Sequence, residues 1–352
     1  MGDIMEWIFI VVILIILVLL LIVYFAANKI YESFLGTRME DNGTLYYFTC
    51  EDYKDINLKR RTGIFESDGN KLKYFIYENE TSSKDEYIFF CHGLGPGHIQ
   101  YMEEIAFFVK NGYQVFTYDV RGCNESEGKG IGAFTNALKD MHNAMSFVEN
   151  DEEFKNRKIL LYGHSMGGFC VNNISHYEHP NIIGAVSMAS FNDSKTLFDD
   201  IITRSISNQA ILLSKIMTSI EHSYNKEISD ISSLKSLENV TYPMLMISGD
   251  KDEVVYPKSN YELFKNKFEH SELFEFMLMP DRGHRPNISI SATEYCKELD
   301  KKIAEFNKLS SKEKTEEHKK TLYQSFDYRK MVEFDMEVMN KVLNFYKKCK
   351  KY

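Results

Sequence analysis

The sequence predicts an α/β fold, a doubly wound and mostly parallel β-sheet covered by helices, preceded by one membrane-spanning helix. Three observations predict it. Short apolar runs alternate along the chain with longer amphipathic segments. The runs are continuous, as expected for strands buried on both faces, and an uncharged apolar stretch lies near the N-terminus. With 352 residues, 44% hydrophobic and 26% charged, the chain is long enough to bury a large core.

The first predicted element is a membrane anchor over residues 1–27, with its span at about 7–27. The span reads "WIFIVVILIILVLLLIVYFAA", close to the roughly 20 apolar residues that cross a bilayer. A cleaved signal peptide is the alternative, but it would have a basic start and small residues at its exit. Here Asp3 and Glu6 lie at the start and aromatic residues at the exit. We therefore predict a retained helix, followed by a polar neck over 28–60.

The charges around the span and over the whole chain indicate compartment and partners. No Lys or Arg precedes the span, whereas Lys29 and Arg38 follow it, which favours a cytoplasmic domain. The net charge of −9 argues against a nucleic-acid partner, because a phosphate-binding surface needs clustered cations. No metal-ligand spacing and no phosphate-binding glycine loop occurs in the sequence, so neither a metal nor a cofactor is expected.

The globular domain is predicted over residues 61–352. An excursion at about 191–240 separates two groups of strands; it has a helical pattern and is either a packed ornament or a lid over a site. The predicted strands cover residues 71–78, 86–93, 113–119, 158–163, 182–190, 242–250 and 272–280. Helices are predicted over 101–112, from about 133 to 150, and after residue 165, and the last helix includes "MEVMNKVLNFYKK".

One serine lies where a buried strand ends and a helix begins. The sequence "GHSMGG" at 163–168 directly follows an apolar run. In a sharp strand-to-helix turn, Gly163 and Gly167 permit close backbone approach, and the Ser165 hydroxyl is pushed outward. Ligands meet the carboxyl ends of the strands in a doubly wound sheet. Ser165 is therefore the candidate nucleophile.

A serine nucleophile needs a histidine to take its proton and an acid to orient that histidine. In this architecture the expected chain order is serine, acid, histidine. Asp250 and Asp252 both follow one downstream strand, and His284 follows the next. The turn "HGLG" follows another buried strand, so the amides of Leu94 and Met166 are the natural oxyanion donors.

Taken together, "HGLG", "DVRGCNES", "GHSMGG", "GDKDEVV" and "RGH" resemble the α/β-hydrolase superfamily over about residues 60–350. The resemblance is greatest to the monoacylglycerol lipase and lysophospholipase-like branch, whose domain is of the serine aminopeptidase S33 type. It implies Ser165 as nucleophile, His284 as general base and acid, and Asp252 as the orienting acid. Asp252 is preferred to Asp250 because the family spaces this residue as Gly-x-x-Asp.

The sequence departs from the family pattern at two places. In "DVRGCNES", Cys123 stands where a small or aromatic residue is usual and Asn124 where glycine is usual. We therefore expect a differently shaped loop. A charged, helical insertion at about 288–329 follows His284, and we expect it to border the entrance of the site.

These features predict a membrane-anchored serine hydrolase that cleaves carboxylic esters through an acyl-enzyme. The anchor and the apolar lid favour a lipid-like substrate, a monoacylglycerol or a lysophospholipid. The S33 resemblance leaves an aminopeptidase open, which would need a carboxylate for the substrate amine; Asp199, Asp200 and Glu221 are the candidates in the lid. A hydrolase-like binding scaffold is the alternative of another class, although such proteins typically lose one of the three catalytic residues.

Overall fold

The computed structural model describes residues 2–207, 210–310 and 312–350. Eight strands form one sheet in the order β1-β2-β4-β3-β5-β6-β7-β8. Within it, β2 runs antiparallel to both of its neighbours, and β4, β3 and β5 to β8 are parallel. This architecture confirms the predicted fold class. The strands are β1 (Lys59–Ser67), β2 (Asn70–Glu78), β3 (Glu86–Cys91), β4 (Gln114–Tyr118), β5 (Lys158–His164), β6 (Ile182–Met188), β7 (Met244–Gly249) and β8 (Phe274–Met279).

Helices connect the strands and cover both faces of the sheet. Parallel neighbours need crossover connections, and these place helices on the two faces. The helices are α1 (Gly2–Tyr31), α2 (Met102–Lys110), α3 (Phe134–Asn150), α4 (Met166–Asn173), α5 (Ser194–Ser205), α6 (Ile211–Tyr224), α7 (Ser233–Ser236), α8 (Tyr261–Phe268), α9 (Ile290–Lys308), α10 (Glu316–Gln324), α11 (Tyr328–Met331) and α12 (Met336–Cys349).

The strand β3 shows why the apolar runs are continuous. Phe89 and Cys91 belong to one hydrophobic cluster, and Ile88 and Phe90 belong to a second. Successive side chains of a strand point to opposite faces, so the two clusters lie on opposite sides of the sheet. Every residue of β3 is buried, and the positions from Ile88 to Cys91 are therefore all apolar.

Two elements were not predicted. The strand β1 lies at the edge of the sheet, and in it Phe65 and Ser67 are buried while the other residues are exposed or half-buried. It therefore carries almost no apolar alternation. The helix α8 buries Tyr261, Phe264 and Phe268, a helical spacing in a segment that the sequence analysis had left unassigned.

The N-terminal helix α1 has two parts with different surroundings. An 18-residue window in it has a mean hydropathy of 3.7 and no buried residue, so the helix is long and apolar enough to cross a membrane. From Ala27 onward one face becomes buried, because Ala27, Tyr31 and Leu35 recur every four residues and pack into the core. We call residues 27–39 the attachment segment. The beginning of the predicted neck is thus packed structure rather than an irregular tether.

Candidate active site

A strained turn holds Ser165 between β5 and α4. Its backbone has φ 55° and ψ −118°, a conformation that non-glycine residues rarely adopt. A Cβ atom at Gly163 would clash with the Gly167 carbonyl, and one at Gly167 would clash with the Cys91 carbonyl. The two glycines therefore allow the close approach that this turn requires, as the motif predicted.

Three of the predicted residues form one hydrogen-bonded chain. His284 Nε2 lies 2.9 Å from Ser165 Oγ. His284 Nδ1 lies 2.9 Å from Asp252 Oδ2 and 3.1 Å from Oδ1. Asp252 is buried and its Oδ1 also accepts the amides of Val254 and Val255, at 2.8 and 2.9 Å. These two hydrogen bonds hold the carboxylate in place beside the imidazole.

The alternative acid, Asp250, occupies a different position in the same loop. Its amide donates to the Met279 carbonyl at 3.0 Å, and its carboxylate lies 3.8 Å from Lys251 Nζ. The structure places Asp252, and not Asp250, within hydrogen-bond distance of His284.

The predicted oxyanion donors lie beside the serine. Met166 is the first residue of α4, where amide N–H groups have no partner within the helix. Leu94 lies in the turn after β3. Both residues line the same cavity as Ser165 and His284. Their proximity is compatible with the predicted role, which stays a prediction.

A second set of buried contacts, not predicted, connects the three loops of the site. The Gly93 amide donates to the Tyr101 hydroxyl at 3.0 Å, and that hydroxyl lies 2.9 Å from His164 Nδ1. His164 Nε2 donates to the His284 carbonyl at 2.8 Å. Burial, followed by the nearby His284, holds the pKa of His164 well below its usual range, so His164 is neutral. A neutral ring with one donor and one acceptor fits both contacts.

The serine opens into an apolar cavity of about 330 Å³. Phe34, from the attachment segment, is one of its walls and was not predicted. The inserted helix α5 contributes Leu197 and Ile201. A second cleft of about 190 Å³ adjoins it, because Gln100 and Arg285 line both. The full lining of the larger cavity is Phe34, Leu94, Gln100, Tyr101, Phe134, His164, Ser165, Met166, Phe191, Leu197, Ile201, Val254, Val255, His284 and Arg285.

The lid carboxylates are engaged elsewhere. Asp199 pairs with Lys195 at 2.8 Å, Asp200 accepts the Ser259 hydroxyl, and Glu221 contacts the attachment segment. Within the described parts of the chain, the cavity lining contains neither aspartate nor glutamate. The predicted insertion after His284 reaches the second cleft through its last helix, α11, since Tyr328 and Met331 line that cleft.

Known proteins resemble this chain to different extents. A sequence profile of the serine aminopeptidase S33 family matches residues 82–236. A monoglyceride lipase of Saccharomyces cerevisiae is 28% identical over 125 residues, which cover 33% of this chain and 39% of that protein. An uncharacterized membrane protein of the same yeast is 26% identical over 67% of this chain and 78% of its own length. An esterase of Pyrococcus furiosus superposes with a TM-score of 0.54 at 17% identity, covering 76% of this chain and 97% of that one.

The sheet order, the turn after β5 and the superposition define the α/β-hydrolase fold. Over residues 82–236 the chain resembles the S33 type, and over 125 residues it is similar to the yeast lipase. The resemblance that the motifs indicated is thereby confirmed.

Proposed function

We propose that this chain is a membrane-anchored serine hydrolase that cleaves carboxylic esters with an apolar acyl chain. The observation that carries the proposal is the chain of hydrogen bonds from Ser165 through His284 to the buried Asp252, opening into an apolar cavity. Nucleophile, base and orienting acid at these distances are the arrangement that acyl transfer requires.

The geometry supports the following reaction. Ser165 Oγ attacks the ester carbonyl carbon while His284 Nε2 takes its proton, and Asp252 stabilises the resulting imidazolium. The amides of Leu94 and Met166 stabilise the negative charge on the carbonyl oxygen. The tetrahedral intermediate collapses, His284 gives its proton to the leaving alkoxide, and an acyl-serine remains. Water, deprotonated by His284, then attacks the acyl-serine, releasing the carboxylic acid and restoring the serine.

The cavity favours an ester with one apolar and one polar part. Phe134, Phe191 and Leu197 offer apolar surface to an acyl chain. The polar side of the lining includes Gln100 and Arg285, and Arg285 also pairs with Glu104 at 2.6 Å. A monoacylglycerol or a lysophospholipid has this division. The lack of a carboxylate in the described lining weighs against an aminopeptidase, which must bind a substrate amine.

The helix α1 is the proposed anchor. Its exposed apolar surface has the length and composition of a single membrane span, and a relative in yeast is named as a membrane protein. Lys29 and Arg38, after the span, support a cytoplasmic position for the hydrolase domain.

The test uses the full chain in detergent micelles, with Ser165→Ala and, as a matched control, Ser325→Ala at an exposed serine of the C-terminal insertion. Each protein is treated with a fluorophosphonate probe and assayed on p-nitrophenyl esters, monoacylglycerols, lysophospholipids and aminoacyl amides. We expect labelling and ester hydrolysis in wild type and in the control, and neither in Ser165→Ala. Preferred cleavage of the amides would favour the aminopeptidase. A folded wild type that is neither labelled nor active would indicate a binding scaffold.

A further inference from the structure

We propose that Phe34 is a wall of the acyl-binding part of the cavity and limits the acyl-chain lengths that the enzyme accepts. Phe34 lies in the attachment segment, between the anchor and the hydrolase domain. The inference rests on the proposed function, because it assigns the acyl half of an ester to this part of the cavity. It gives the attachment segment a role in specificity besides its role in attachment.

The position of Phe34 is the first observation. Its half-buried ring lines the cavity that contains Ser165 and packs against the large hydrophobic core cluster, which includes Phe134, Phe191 and Leu197. These three residues line the same cavity. Phe34 therefore completes an apolar surface, and an apolar surface binds methylene groups in proportion to the area that it removes from water.

The second observation is a buried hydrogen-bond cluster that holds the segment against the inserted helix α6. The Tyr31 hydroxyl lies 2.6 Å from Glu221 Oε2 and 2.7 Å from the Gly132 carbonyl. Glu221 Oε1 accepts the Phe134 amide at 2.8 Å. The Tyr31 ring also packs edge-on against Phe198, with ring centres 5.9 Å apart. One cluster thus joins the attachment segment, α6 and the start of α3 close to Phe34.

The third observation is that backbone hydrogen bonds fix the segment on the other side of Phe34. The Gly132 amide donates to the Leu35 carbonyl at 2.7 Å. The Met39 amide donates to the Gly122 carbonyl, and the Met39 carbonyl accepts from the Asn124 amide, both at 2.9 Å. Asn124 adopts a positive φ of 40°, which asparagine tolerates better than most residues. The loop that departs from the family pattern is therefore the one that holds this segment. Because the segment is fixed on both sides of Phe34, the ring cannot easily move aside, and it therefore limits the length of the bound acyl chain.

A matched control lies on α1, the helix that leads into the attachment segment. Phe25 is 65% exposed on the proposed membrane span, nine residues before Phe34, and it is not among the residues that line the cavity. Replacing Phe25 by alanine removes the same side chain and leaves the cavity unchanged.

The experiment compares wild type, Phe34→Ala, Phe34→Trp and Phe25→Ala as full chains in detergent. For each, kcat/KM is measured on p-nitrophenyl acetate, butyrate, octanoate and palmitate, along with fluorophosphonate labelling and thermal unfolding. A misfit of about one methylene in an apolar pocket changes kcat/KM by roughly tenfold or more. We expect Phe34→Ala to raise the palmitate-to-butyrate ratio by about that factor and Phe34→Trp to lower it, while Phe25→Ala keeps the wild-type ratio.

The outcomes separate the two proposals. Opposite shifts for alanine and tryptophan support the acyl wall. Wild-type ratios in both Phe34 variants, with Ser165 still labelled, would overturn it and leave the serine hydrolase standing. If Phe34→Ala unfolds, Phe34→Leu replaces it and the same comparison decides. A wild type without labelling or turnover refutes the proposed function and this inference with it.

Discussion

At the scale of single residues, the strongest test of the site contrasts two aspartates two positions apart. Asp252→Asn removes the carboxylate charge beside His284, which in the proposed mechanism orients the ring and stabilises its protonated form. In a serine hydrolase of this type, such a change lowers kcat by roughly 1,000- to 10,000-fold with the geometry kept. We expect a loss of this order with little change in KM, measured with p-nitrophenyl butyrate.

Asp250→Asn is the matched control for that measurement. Its carboxylate lies near Lys251 and takes no part in the hydrogen bonds of His284. We expect its kcat to remain close to that of wild type. A large loss in Asp250→Asn together with near-normal rates in Asp252→Asn would reverse the assignment of the acid.

The site residues that could be predicted from the sequence are those that lie in recognisable local motifs. The turn around Ser165 and the loops carrying Asp252 and His284 each follow a strand, so their meeting at one sheet edge could be expected. Tyr101 and His164 were missed as partners because their contact joins residues 63 positions apart, one in the turn before α2 and one at the end of β5. No pattern in the sequence predicts such a contact.

At the scale of elements, the contact between the attachment segment and α6 depends on one buried carboxyl group. Glu221 is 2% exposed, and burial raises its pKa to about 7 despite hydrogen bonds from Tyr31 and from the amides of Thr135 and Phe134. By its sequence position, Glu221 is also a candidate ligand for a substrate amine. Its partners instead assign it to holding the lid helix to the chain that enters from α1.

The raised pKa predicts how stability changes with pH. Between about pH 4.5 and 7 the unfolded chain has released the Glu221 proton while the folded chain retains it. The free energy of unfolding therefore falls as pH rises through this window, by roughly 3 kcal/mol from this group. Glu221→Gln stays neutral, so we expect its Tm relative to wild type to rise from about pH 5 to about pH 8.

Thermal unfolding of the full chain in detergent at both pH values measures this effect. The control is Glu227→Gln, which changes an exposed carboxyl group in the same inserted segment, 191–240, as Glu221. Other titrating groups cancel in the difference between variant and wild type. Parallel Tm curves for Glu221→Gln and wild type would show that folding does not raise the pKa of Glu221.

The elements that could be predicted are those with strong periodicity. The buried strands and α3 were expected close to their observed bounds because their apolar patterns are continuous or helical. The attachment segment was read as irregular neck because its charged and polar residues, such as Glu32 and Arg38, conceal the burial of Tyr31 and Leu35. That burial depends on α6 and the loop after β4, which are distant in sequence.

At the scale of the whole molecule, the attachment segment joins the proposed membrane span to the cavity without a flexible joint. Phe34 follows the exposed Phe25 by nine residues, about 14 Å along a helix axis. The cavity wall is therefore held near the end of the membrane span. Under the proposed function, an acyl chain leaving the bilayer has a short path to Ser165, and the position of α1 relative to the domain would affect how membrane-bound substrates reach the site.

This geometry predicts that a flexible linker will impair one class of substrate and spare another. Inserting twelve Gly and Ser residues between Ala26 and Ala27 lets the domain move by about 20 Å from the anchor, while residues 27–39 keep their contacts. We expect kcat/KM for a monoacylglycerol embedded in vesicles to fall severalfold in reconstituted enzyme, and that for soluble p-nitrophenyl butyrate to stay unchanged. The same linker inserted between Lys312 and Glu313, both exposed in the C-terminal insertion, should change neither rate. Equal rates for all three proteins on vesicles would mean that the anchor recruits the enzyme to the membrane without positioning its active site. A loss of activity on both substrates would show that the linker had disturbed the cavity itself.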